Sequence, residues 1–330
     1  MKSMIAAALA VATLVAMPAD AAEPRISGPY QQDNLTVFLI HDRTAPGSEV
    51  PFMTLDEALP AGHAAVHETG DVNNLEVENL SKDRLLFIQA GDIVKGGKQD
   101  RVLSVDLILP PGSGRTSIAV FCVEHGRWSE RGDEPAQNFA SADKAIAGKD
   151  LKLAAKSEKS QQGVWNAVSK AQAMLAEAVG GDVAAEESPS SLQLTLENEK
   201  VASAIAAQIA ALKDLAGANE DATGFIYAVN GKISGGDIYA SRDLFRKLWP
   251  RLLESSAVEA IAARGEQTVA LAATEDDVRR LLSTADGIDG RRENLPAGVT
   301  LISRENNEIA AFETGSTQID GAVHRNYIVK

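Results

Sequence analysis

The spacing of apolar residues changes midway along this chain, and that change limits what it can fold into. Before about residue 128 the apolar side chains recur every second position, as on one face of a sheet. Leu35–His41 is rich in β-formers, and Leu75–Leu80 alternates apolar with polar. Leu85–Ile88 is a short apolar run, Arg101–Leu109 alternates again, and Ser117–Glu124 follows. Gly, Pro, Asn and Asp clusters separate these segments, as strand punctuation does. The turn Pro110-Pro111-Gly112-Ser113-Gly114 predicts a hairpin between two of them.

Beyond residue 160 the period lengthens to that of a helix. Trp165, Val168, Leu175 and Val179 follow it, as do Val201, Ile205, Ile209 and Leu212 after a candidate N-cap at Asn198. Ser241 is a candidate cap for a helix carrying Leu244, Phe245, Leu248 and Trp249, which Pro250 is expected to kink or restart. Asn230-Gly231 between two apolar runs predicts a hairpin, and residues 299–303, 308–312 and 323–329 return to strands. The expected class is α+β, with antiparallel sheet in the N-terminal half and helices concentrated in the C-terminal half. Residues 22–330 are read as one domain: β-rich over 22–128, loop and helix over 129–264, and α/β over 265–330.

Residues 1–21 have the form of a secretory signal peptide. Lys2 precedes an apolar, small-residue stretch, and Ala19-Asp20-Ala21 offers a cleavage site. The expected location is therefore periplasmic or secreted. No stretch reaches the roughly 18 apolar residues of a membrane span. With 32 Lys+Arg against 46 Asp+Glu, the formal net charge is −14. Such a chain, without a long basic run, is a poor partner for nucleic acid. One cysteine, Cys122, excludes an intramolecular disulfide framework and a Cys-based zinc site.

Familiar catalytic signatures fail on inspection. The run Gly91–Gln99 resembles a phosphate loop, but Asp92 stands where the first Gly belongs and Gln99 where a Ser or Thr should bind magnesium. No G-x-G-x-x-G or G-x-S-x-G occurs, and the five histidines have no metal-ligand spacing. No metal or cofactor is expected.

Two stretches remain. In Gly96-Gly97-Lys98-Gln99-Asp100-Arg101, two glycines allow close backbone approach, and a cation, an amide and a guanidinium follow. In Cys122-Val123-Glu124-His125-Gly126-Arg127-Trp128, a thiol, a carboxylate, a guanidinium and a flat ring lie within seven residues. If Ser117–Glu124 is one strand, Cys122 and Glu124 share a face. Each stretch also has a plain structural reading: a polar turn for the first, a buried cysteine at a strand end for the second.

These two motifs resemble those of the ARPP family, the ARG and rhodanese-phosphatase-superfamily-associated protein domain. The resemblance extends to Thr54–Leu59, Val72–Asn79 and Asp243–Pro250, and so over nearly the whole chain after the signal. Gly97, Asp100 and His125 depart from the family pattern. The resemblance implies a role near phosphorylated, ADP-ribose-like compounds, by association. Two readings follow. In the first, Gly96, Gly97, Lys98, Gln99, Arg101, Arg127 and Trp128 bind a small anionic ligand, with Cys122 and Glu124 as catalytic candidates. In the second, the chain is a non-enzymatic periplasmic binding or scaffold module, and the same residues form an internal network.

Overall fold

The computed structural model describes residues 24–42, 50–127, 129, 131, 139–142, 146–265 and 271–330. The signal-peptide assignment and Trp128 lie outside these residues. Along the chain the first strands are β1 (Arg25–Gln32), β2 (Leu35–His41), β3 (Phe52–Thr54), β4 (Ala64–Glu68) and β5 (Asn74–Asn79). Then come β6 (Leu85–Ile88), β7 (Ile93–Gly96), β8 (Arg101–Leu103), β9 (Leu107–Leu109), β10 (Arg115–Cys122) and β11 (Phe139–Ser141). The C-terminal half adds β12 (Ala222–Val229), β13 (Lys232–Tyr239), β14 (Gly290–Leu295), β15 (Val299–Glu305), β16 (Ile309–Ser316) and β17 (Ile319–Val329). A short helix, α1 (Leu55–Ala58), follows β3; α2 (Lys149–Lys152), α3 (Gln161–Val179), α4 (Leu192–Glu197) and α5 (Glu199–Ile209) follow β11. The helices α6 (Leu215–Ala218), α7 (Arg242–Ala262) and α8 (Glu275–Asp286) complete the chain.

The fold is α+β, with antiparallel sheets in the N-terminal half and the larger helices in the C-terminal half. One sheet has eight antiparallel strands in the order β1-β2-β12-β13-β17-β16-β15-β14. A second has the order β11-β7-β8-β10-β5-β4, and a third is β3-β6-β9, in which β3 and β6 run parallel. The chain's first two strands thus join a sheet built otherwise from its last third. One apolar cluster, including Leu35, Leu86, Val102, Val168, Phe245 and Val323, runs through both halves.

Local signals explain most elements. Asn198 accepts a bond from the Lys200 amide, and Ser241 from the Leu244 amide, so both cap the helices that follow them. Gly180 ends α3 in the left-handed region at φ 67°. Asn230 and Gly231 turn the β12–β13 hairpin with φ of 51° and 78°. Two expectations fail. Pro250 does not restart α7, which runs through it from Arg242 to Ala262: the proline lies exposed, while Leu248, Trp249, Leu252 and Leu253 carry the buried face across it. The Pro110–Gly114 turn does not close a hairpin, because β9 pairs with β6 while β10 pairs with β5 and β8. The segment Arg101–Leu109 is two strands in different sheets. Ser104 Oγ donates to the Ala119 carbonyl, and Asp106 Oδ1 accepts from the Ala90 amide at 2.7 Å. These bonds hold the chain where it passes from one sheet to the other.

Candidate functional site

Pairing of β8 with β10 sets Cys122 opposite Arg101, so the two sequence motifs are neighbours. The turn between β7 and β8 holds Gly96 and Gly97 at φ 128° and 57°. A Cβ on Gly97 would come within 2.7 Å of the Phe139 ring, so close packing as well as backbone conformation requires glycine there. Lys98 is exposed; Gln99, Asp100, Arg101, Glu124 and Arg127 are all buried.

Strand β10 stops at Cys122, so Glu124 does not share a strand face with it. Glu124 turns inward. Its Oε2 accepts from the Asp100 amide at 2.7 Å and from Arg127 Nε at 2.7 Å. Its Oε1 accepts from Arg131 Nη1 at 3.0 Å and Ser188 Oγ at 2.8 Å. Asp100 Oδ1 accepts from Arg127 Nη2, and Asp100 Oδ2 lies 3.3 Å from Arg131 Nη2. Two carboxylates therefore face two guanidiniums. Arg131, whose Nη1 also donates to Ser191 Oγ at 3.1 Å, was missed by sequence reasoning along with Ser188 and Ser191, because nothing in their spacing ties them to the motif. Burial and the neighbouring Glu124 charge push Asp100 up to about 6. Burial also acts to raise Glu124, but bonds from Arg127, Asp100 and Ser188 hold it below its usual value.

Arg101 stands apart. It is 2% exposed, Nη1 donates to the Gln99 carbonyl at 2.7 Å, and Nε has no partner. Cys122 is buried, and burial pushes its thiol up despite the nearby Arg101 charge. Its backbone amide and carbonyl are both bonded to the Gln161 side chain, which anchors the end of β10 to α3.

A family model described as the ARG and Rhodanese-Phosphatase-superfamily-associated Protein domain, ARPP-1, matches residues 23–325. The chain belongs to the ARPP-1 family. No curated protein and no solved structure matched it.

The ARPP-1 chain has a second buried polar centre that its sequence motifs do not announce. His324 on β17 lies between two carboxylates, with Nδ1 2.8 Å from Asp106 Oδ2 and Nε2 3.0 Å from Asp237 Oδ1. Its ring stacks on Tyr239 at 4.6 Å. Thr314 donates to Asp106, and Lys152 Nζ is 3.9 Å from Asp237 Oδ2. Burial opposes the imidazolium, yet the two aspartates raise His324 above its ordinary value. Burial likewise opposes both carboxylates. Lys156 and His324 hold Asp106 well below the usual range, and Lys152 and His324 lower Asp237. Groups perturbed this strongly concentrate at functional sites and at structural ion networks alike.

The largest cleft described, about 470 Å³, is not lined by any motif residue. It lies between α3, α7 and the β12–β13 hairpin, among residues such as Val168, Met174, Val229 and Val258. Among the described residues no cluster of three His, Cys, Asp or Glu side chains could hold a metal, and no helix is long and apolar enough to cross a membrane.

Proposed function

We propose that this ARPP-1 chain is an exported, non-enzymatic binding module whose two motifs form an internal structural network. The observation that carries this reading is the state of Glu124. Both of its oxygens are engaged, by Arg127, Arg131, Ser188 and the Asp100 amide. A general acid or base needs a lone pair or proton within reach of substrate. Glu124 has none to spare, and the Cys122 thiol is held in its protonated, unreactive form. The test is Glu124→Gln. The module reading expects a melting temperature lower by roughly 10 °C, since breaking a buried pair costs about 3–5 kcal/mol. A variant that melts like the parent but loses a measured turnover would overturn it. Export is tested separately: N-terminal sequencing of the protein recovered from a periplasmic fraction should begin at Ala22.

One observation favours a second reading, in which a small phosphorylated, ADP-ribose-like anion binds at the first motif. A buried guanidinium without a carboxylate partner is costly unless an anion meets it, and Arg101 Nε is unpartnered. In this reading Lys98 guides the anion and Arg101 grips it. Thermal-shift titration with ADP-ribose and ribose 5-phosphate tests it, because a ligand of the native state raises the melting temperature by mass action. The shift should vanish in Arg101→Met. A shift that persists there would place the anion elsewhere.

A further inference from the structure

The 470 Å³ cleft and the His324 centre meet. Beside Asp237 is a small recess of about 20 Å³, lined by Lys152, Asp237 and Asn326 among others. Lys149 and Ser255 line both the recess and the cleft, so the two adjoin. A recess of that size holds about one water or one small polar group. The cleft itself falls within the range of roughly 300–1,000 Å³ typical of small-molecule sites.

The chemistry of the two spaces differs. The cleft wall includes Val168, Ala171, Met174, Leu196, Val258 and Val329. Its charged residues are largely paired: Lys170 with Asp150 at 2.8 Å, Lys149 with Glu259 at 3.5 Å, and Lys330 with Glu305 at 3.1 Å. Lys232, at the turn, is exposed. Glu259 also accepts from Tyr227 and Ser234, which leaves it little capacity for a ligand. The cleft therefore offers an apolar body little reason to carry a net charge.

The recess is polar and incompletely bonded. Asn326 Nδ2 donates to the Gly236 carbonyl and to Asp237 Oδ1, two acceptors that fix the orientation of the amide. Asn326 Oδ1 is buried and has no partner. Lys152 Nζ is 3.9 Å from Asp237 Oδ2, too far for a hydrogen bond. An occupant must therefore donate to an oxygen and accept from an ammonium. A hydroxyl does both. A carboxylate has no proton to give and would face Asp237; an alkylammonium accepts nothing and would face Lys149 and Lys152.

We propose that the cleft and recess together bind a neutral amphiphile, an apolar chain or ring ending in a hydroxyl, with the hydroxyl in the recess at Asn326 and Lys152. This assignment rests on the binding-module reading, but not on where the motifs put an anion.

Calorimetric titration of the full chain with 1-decanol, decanoate and decyltrimethylammonium separates the alternatives. The alcohol should bind at least tenfold tighter than either ion. Ala171→Trp fills the cleft and should abolish binding while leaving the melting temperature within a few degrees of the parent. Ser255→Leu closes the junction and should reduce the preference for the alcohol to below threefold. Should either ion match the alcohol in the parent protein, or none of the three bind, the assignment fails. It fails equally if folded Ala171→Trp protein binds decanol as the parent does. Loss of motif stability in Glu124→Gln reports on the other reading and would leave these titrations unchanged in kind, so the two failures are distinguishable.

Discussion

The motif network and the His324 centre are both buried and both ionic, yet they balance charge differently. In the first, Asp100 and Glu124 face Arg127 and Arg131, four groups within 32 positions of chain. In the second, Asp106 and Asp237 share one imidazole, and Lys152 and Lys156 stand by. The first has a carboxylate, Asp100, raised to about 6, that can take up a proton near neutral pH. The second has carboxylates held firmly ionised. A network that can shed a charge tolerates damage better than one that cannot.

The largest effect should therefore come from the second centre. Asp106→Asn keeps the side chain's shape but leaves the charges of His324 and Lys156 without their main counter-charge. Loss of one member of a buried pair costs about 3–5 kcal/mol. Denaturant unfolding should show a midpoint shift of that size, with His324 titrating lower by NMR. If the loss is under about 1 kcal/mol, the second centre is no stiffer than the first.

Acid and base should act within each region through different groups: in the first, Glu124 is held low and weakens the network on acidification, while Asp100 acts the other way. Asp100 is raised from 3.8 to about 6. A raised group contributes stability that is complete below its unfolded value and is lost as pH rises through the folded one. The contribution of Asp100 thus fades between about pH 4 and 6, by about 3 kcal/mol for a shift near two units. Asp106 and Asp237 are lowered, so their contribution is present above 3.8 and is lost as pH falls. His324 is raised from 6.5, so its contribution is lost as pH rises above that value. Stability measured from pH 3 to 9 in Asp100→Asn and in His324→Gln should isolate these limbs: the first variant loses the decline between pH 4 and 6, the second the decline above 6.5.

Arg131→Met gives a smaller effect and sharpens the contrast. It removes one of the two cations facing Asp100 and Glu124. Arg131 holds Asp100 down, so without it the carboxyl rises further above its parent value of about 6 and takes up a proton at pH 7 for less than about 1.4 kcal/mol. That relief should limit the total loss to about 2–3 kcal/mol, and the loss should shrink further at pH 5. A loss that grows on acidification would mean that Asp100 stays ionised.

How much of this was legible in the sequence depends on distance along the chain. Residues 96–101 and 122–127 were each legible as a motif, but what makes them neighbours is the pairing of β8 with β10, not the hairpin that Pro110–Gly114 predicts. The caps at Asn198 and Ser241 and the Asn230-Gly231 turn are local chemistry and were readable for that reason. The crossing of Arg101–Leu109 between two sheets was not. The alternation of Leu103, Val105, Leu107 and Leu109 looks like one strand, and only three-dimensional pairing, β8 with β10 and β9 with β6, says otherwise. His324 itself was set aside with the other histidines for want of metal spacing. Of its partners, Asp237 sits on β13, the strand beside β17, and Asp106 in the passage between β8 and β9, and no pattern of period two or 3.6 connects positions so far apart in the chain.

The smallest effect tests which part of the first motif serves a ligand at all. Lys98 is the exposed member of an otherwise buried hexapeptide, and no hydrogen bond or ion pair holds it among the described residues. A solvated surface lysine contributes within about 0.5 kcal/mol to stability, so Lys98→Ala should unfold like the parent. Its value lies in the anion titration. If ribose 5-phosphate raises the melting temperature of the parent, Lys98→Ala should weaken that response several-fold and lessen its dependence on salt, because a mobile ammonium acts on an anion through screened attraction. Arg101→Met should abolish the same response outright. Equal responses in the parent and Lys98→Ala would remove the lysine from any anion site, and an equal response in Arg101→Met as well would leave Arg101 as a cation buried for packing alone.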